Sequence, residues 1–266
     1  MADAETPAFY ARATAPERVL FVLDISTEMN GHEFDRSQTL TRLDLIKKSI
    51  TMFVGQKSMI SAKHEYGLCL LSDRPEMHTD FTSDVATFLR AVESVAATAE
   101  ATGFNLGLLF DMISTRFKSW FDAGEASVNQ SKPRAQHILR VVLIYGRSKE
   151  VPTLGHWDEE KMLKLLDNPI FFWDALYVHM KPGTQGTMVQ EIYDFLTKVE
   201  SDLENKRAYF FEASTMSSRL FQHMAMLIAH PIQRREQQQA TDALMWTEPQ
   251  PQVHARAQGG PSTREV

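Results

Sequence analysis

Four short, nearly continuous apolar runs limit what this chain can fold into. Val19-Leu20-Phe21-Val22-Leu23 leads straight into Asp24, and Tyr66 to Leu71 is stopped by Asp73-Arg74-Pro75. Ile138 to Tyr145 reads Ile-Leu-Arg-Val-Val-Leu-Ile-Tyr, and Phe171 to His179 reads Phe-Phe-Trp-Asp-Ala-Leu-Tyr-Val-His. A strand that is apolar on both faces must be covered on both, which is the condition of a parallel or mixed sheet between two helical layers. Helical spacing fills the gaps. Leu43, Ile46, Ile50 and Phe53 share one face of a helix over residues 40–53, and Asp84 is placed to cap a helix through Ala97. Asn105 to Phe121 reads as one further helix, and residues 122–135 as an exposed loop. A short helix from Trp157 to Leu166 ends at Asn168-Pro169. Val189 to Leu203 is helical, Ala208 to Glu212 is a short strand, and Ser214 caps a last helix to Ala229. The expected class is α/β, a three-layer sandwich with a mostly parallel central sheet.

Composition narrows the chemistry. Lys and Arg total 28 against 34 Asp and Glu, a formal charge of -6, which argues against nucleic acid as the main ligand. Cys69 is the single cysteine, which excludes an internal disulfide and any multi-cysteine zinc site. Its place inside a strand predicts a buried, inert thiol. No run approaches the roughly 18 apolar residues of a membrane helix. The first twenty residues carry Asp3, Glu5, Arg12 and Glu17 without the apolar centre of a signal peptide, so an intracellular chain is expected. Common hydrolase and nucleotide signatures are missing. Residues 1–16 read as a flexible arm, 17–230 as the domain and 231–266 as a largely disordered tail, with Trp246 as its apolar anchor.

Ligands of open α/β sheets gather at the carboxyl ends of the strands. Here the first strand ends Asp24-Ile25-Ser26-Thr27-Glu28, which resembles the Asp-x-Ser-x-Ser element of von Willebrand factor A domains. That family binds a divalent cation with added ligands from a Thr in a second loop and an Asp at a third strand end. The corresponding loop reads Thr102-Gly103-Phe104-Asn105-Leu106-Gly107, with Phe104 where the Thr ligand belongs. The third strand end reads Ile144-Tyr145-Gly146-Arg147, its carboxylate lost and a guanidinium close by. The reading is a degenerate site without metal or other cofactor. A cation site completed by Glu28 and water is one rival. An enzyme using Asp24, His179 and Arg147 is the other, and it lacks a nucleophile.

The resemblance extends to longer segments: Glu17 to Met29, Phe104 to Phe110, Asn168 to Asp174 and Met224 to Arg234, all within about residues 17–235. Together these are similar to the family of MERIT-type scaffold subunits shared by the BRISC deubiquitinase complex and the related breast-cancer-susceptibility-protein A complex. The resemblance implies a von Willebrand factor A-like, non-catalytic adaptor in cytoplasm and nucleus, with links to ubiquitin and the DNA damage response. It implies an assembly that cleaves lysine-sixty-three-linked polyubiquitin. In that assembly the direct partner is the ubiquitin-conjugating-like BRE subunit, and the chemistry belongs to a zinc metalloprotease with a pseudoenzyme partner. No nucleic-acid or membrane partner is implied. The family's Pro-x-x-Arg contacts match Pro231-Ile232-Gln233-Arg234 and Pro261-Ser262-Thr263-Arg264. His230, Pro231, Gln233, Arg234, Arg235, Trp246, Pro261 and Arg264 are therefore the expected partner-binding residues.

Overall fold

The first apolar run lies inside a six-stranded sheet. The structure, a computed structural model, describes residues 14–34, 39–100, 103–128, 137–201, 208–214 and 216–245. Its strands are β1 (Glu17–Asp24), β2 (Glu65–Leu71), β3 (Pro75–Thr82), β4 (Ile138–Tyr145), β5 (Phe171–Val178) and β6 (Phe210–Ala213), in the order β3-β2-β1-β4-β5-β6. All neighbours run parallel except β2 and β3. Phe21 lies opposite Leu68 on one side and Val142 on the other, so β1 is hydrogen-bonded along both edges.

Eight α-helices are described: α1 (Arg42–Ile60), α2 (Val85–Ser94), α3 (Leu106–Arg116), α4 (Lys118–Val128), α5 (Glu159–Leu166), α6 (Val189–Ser201), α7 (Ser217–Met226) and α8 (Gln237–Met245). Strand alternation sorts them into layers. Leu20, Val22, Val141, Leu143 and Trp173 pack with Leu109, Phe110, Leu166 and Ile192 on one face. Val19, Phe21, Val142, Ile144 and Leu176 pack with Ile46, Phe53, Phe88, Leu220 and Met224 on the other. This is the expected three-layer sandwich. A capping box between Thr41 and Asp44 starts α1, and Asp84 caps α2 through the Thr87 amide.

Several local expectations change. No element was assigned to residues 75–82, yet they form β3. This edge strand turns Met77 and Phe81 inward and Glu76, His78 and Asp80 outward, so its alternation is half polar and its charges protect an open edge. The helix expected over 105–121 is two helices meeting at Phe117, and the second runs to Val128 through part of the expected loop. The last core helix starts at Ser217, and no side chain caps it. Both expected domain boundaries also move. Ala15 is buried with Ile138, Phe172 and Ile232, and the Pro16 carbonyl accepts from the Ile138 amide, so the fold begins before residue 17. At the other end, Ile232, Arg234, Gln237 and Ala240 pack against the domain. Cys69 is buried as expected, and burial pushes its thiol up to about 12, which leaves essentially no thiolate at neutral pH.

Candidate functional site at the two ends of the sheet

At the carboxyl ends of the strands, Asp24 is fully buried and ends β1. The Ser26 amide donates to its Oδ1 at 3.0 Å, and the Gly146 amide donates to Oδ2 at 3.0 Å. A side chain at Gly146 would overlap Met29 Sδ and crowd this carboxylate, which explains a glycine at the end of β4. The next residue decides the chemistry of the edge. Arg147, also fully buried, donates from Nε to Asp24 Oδ1 at 3.1 Å. It also donates to the carbonyls of Leu71, Ser72 and Gly103, and its guanidinium lies 5.5 Å from the Phe104 ring centroid.

One fixed cation thus ties together the ends of β1 and β2 and the loop before α3. The residues do not fit a divalent cation. Phe104 supplies no oxygen, Asp24 already accepts from a guanidinium, and Glu28 accepts the Ser148 amide at 3.1 Å. Among the described residues no three His, Cys, Asp or Glu side chains are grouped to hold a metal. Of the residues named for the enzyme reading, Asp24 and Arg147 neutralise each other. His179 is buried, its ring centroid lies 4.6 Å from that of Tyr177 at a 31° tilt, and Nδ1 meets the Met180 carbonyl at 2.6 Å.

The opposite end of the sheet holds a charge network that the sequence reading missed. Glu17 of β1, Arg140 of β4, Asp174 of β5 and Lys57 of α1 are all buried. Arg140 donates from Nε to Asp174 at 2.7 Å and from Nη1 to Glu17 at 3.2 Å, while Lys57 pairs with Glu17 and donates to the Ile228 carbonyl at 2.8 Å. The signal was there: Arg140 and Asp174 interrupt two otherwise apolar strands with opposite charges, and buried charges are rare unless paired.

The segment after α7 closes this network as a strap. Arg234, expected to contact a partner, is instead 4% exposed and grips Asp174 with both terminal nitrogens. Its guanidinium stacks 3.9 Å from the Tyr209 ring centroid, and Tyr209 returns its hydroxyl to the Arg235 carbonyl at 2.7 Å. Burial opposes charge on Asp174, but Arg234 and Arg140 outweigh it and hold the carboxyl below its usual range. Pro231 is buried, His230 half-buried, and Gln233 and Arg235 exposed. Trp246, Pro261 and Arg264 lie outside the described residues. Five of the eight expected partner residues are therefore brought together on one strap, with the motif arginine turned into the domain.

Two half-buried histidines make stability acid-sensitive. His223 stacks on Phe211 at 4.5 Å and 9°, and His230 lies 4.0 Å from Glu17. Burial brings both imidazoles down to about 4, Arg219 adding to the effect at His223 and Lys57 and Arg140 at His230. The unfolded side chains titrate near about 6.5, so the unfolded chain binds more protons between the two values. Stability is then complete above about pH 6.5 and falls as pH drops towards about 4, by at most about 3 kcal/mol per histidine. Urea unfolding from pH 7 to 4.5 should show this decline, and His223→Gln should remove part of it. A flat profile would contradict these burials.

Comparison with known proteins follows the same lines. The von Willebrand factor type A domain profile matches residues 19–144. BRISC and BRCA1-A complex member 1 of Xenopus laevis is 29% identical over 238 residues, 88% of this chain and 69% of that protein. The Homo sapiens protein of that name is 29% identical over 240 residues, with 88% and 70% covered. Among solved structures, a von Willebrand factor type A protein from Catenulispora acidiphila superposes with a TM-score of 0.52 at 10% identity, covering 83% of this chain and 44% of that one. The PilB minor pilin from Streptococcus sanguinis gives 0.51 at 13% identity, covering 88% and 64%. At those identities the two structures speak for the fold alone. The chain has a von Willebrand factor A-like fold and is similar over 88% of its length to the proteins named BRISC and BRCA1-A complex member 1.

Proposed function

We propose that this chain is a non-catalytic scaffold subunit of a deubiquitinase assembly of the BRISC or BRCA1-A type. The observation that carries the reading is the pairing of Arg147 with Asp24, in a chain similar along 88% of its length to proteins named as members of those complexes. The strand ends that hold a cation in the wider fold are locked here by an internal ion pair, so the domain offers surfaces and a C-terminal segment in place of a metal centre. In this reading it binds a BRE-like, ubiquitin-conjugating-fold subunit directly. It thereby stabilises a zinc metalloprotease and its pseudoenzyme partner acting on lysine-sixty-three-linked chains, in cytoplasm and nucleus. The buried Cys69 and the buried His179 support a role without turnover.

Native purification of the tagged chain, with identification of co-purifying proteins and a ubiquitin-chain cleavage assay, tests the proposal. The expected eluate contains a metalloprotease and a ubiquitin-conjugating-like protein and cleaves chains, whereas the recombinant chain alone does not. Purification of the chain without those partners, or cleavage by the isolated chain, would overturn it.

A further inference from the structure

Every part of the surface that receives Arg234 belongs to the domain. Asp174 is held by Arg140 at 2.7 Å and by the Tyr209 amide at 2.8 Å, so its carboxylate is oriented without help from the strap. Tyr209 presents a ring face, and a guanidinium stacked on an aromatic while bonded to a carboxylate is a strong and specific arrangement. Three residues on, Gln237 accepts from the Phe210 amide at 2.7 Å and donates to the Phe210 carbonyl at 2.6 Å, as a neighbouring strand would at the edge of β6. Ile232 adds an apolar contact with Ala15, Ile138 and Phe172.

The geometry points to a peptide-recognition slot formed by Asp174, Tyr209 and the β6 edge at Phe210, specific for a turn-forming segment with arginine followed three residues later by glutamine, and filled in this chain by its own residues 231–237. The anchoring arginine is thus a ligand of the domain, and the strap is a tethered peptide whose occupancy fixes where α8 begins. This inference rests on contacts within the chain and not on any partner. Tethering gives the strap a high effective concentration, which favours it over the same peptide in solution by about a hundredfold or more.

The test uses the full chain and a labelled peptide spanning residues 229–240, followed by fluorescence anisotropy. The native chain should bind the peptide at least about a hundredfold more weakly than the Arg234→Ala chain, whose own strap has lost its anchor. Replacing the peptide's arginine by alanine should abolish binding to that variant. Equal binding of the two peptides by a folded Arg234→Ala chain, or no binding of either, would overturn the proposal. If Arg234→Ala does not fold, the Gln237→Ala chain serves, because it loosens the strap without stranding a buried charge. It should prefer the arginine peptide over its alanine version, and equal affinity there would also refute the slot.

Discussion

Asp174→Asn is expected to lower the unfolding free energy by about 3–5 kcal/mol, the cost of removing one partner from a buried ion network. Asparagine keeps the shape but removes the charge and turns one acceptor oxygen into a donor that faces the guanidinium groups. Arg234 would lose its bidentate carboxylate, and Arg140 would keep Glu17 and the Ala229 carbonyl in a buried setting. For a chain of this size the melting temperature should fall by roughly 6–20 °C. Urea unfolding should show a lower midpoint with an unchanged slope. A loss below about 1 kcal/mol would mean that the network is solvated and behaves like an exposed pair. The contrast is available in the same molecule. Lys118 and Asp122 pair with side chains 72% and 62% exposed, and Asp122→Ala should change stability by no more than about 0.5 kcal/mol.

Arg147→Met is the second large effect. It leaves the Asp24 carboxylate buried without the guanidinium bonded to it and takes a donor from the carbonyls of Ser72 and Gly103, while the Leu71 carbonyl keeps the Ile25 amide at 3.1 Å. The expected loss is again about 3–5 kcal/mol. Asp24→Asn in the same chain should recover part of it, because the two groups act as one pair. A double-mutant cycle should give a coupling of about 1–3 kcal/mol. Strict additivity of the two substitutions would show that Arg147 works through its carbonyl contacts alone.

The layers were legible because β1, β2, β4 and β5 are apolar on both faces, and only a sheet covered on both sides accommodates that. The altered strand-end site was legible too, since Phe104 and Arg147 stand at the positions of an oxygen ligand and a carboxylate. β3 escaped because an antiparallel edge strand alternates with polar residues, and Pro75 reads as a terminator. The strap escaped for a different reason. Pro231-Ile232-Gln233-Arg234 reads as a solvated peptide because its partner Asp174 lies 60 positions earlier, in another element. Only the topology brings that carboxylate, Tyr209 and Arg234 to one place. Polar composition after Pro231 suggested a tail, but a single arginine with a buried carboxylate to meet is enough to fold such a segment down.

An internal guanidinium, Arg147, takes the place of a cation at the strand ends. The most direct measurement is thermal unfolding of the recombinant chain across a magnesium and manganese titration to 10 mM, with chelator as reference. A site with a dissociation constant near about 0.1 mM would add about 2.7 kcal/mol at that concentration. Such a site would raise the melting temperature by roughly 5–11 °C. With Arg147 bonded to Asp24, no saturable shift is expected with either ion. A saturable rise of several degrees that disappears in Asp24→Asn would contradict it.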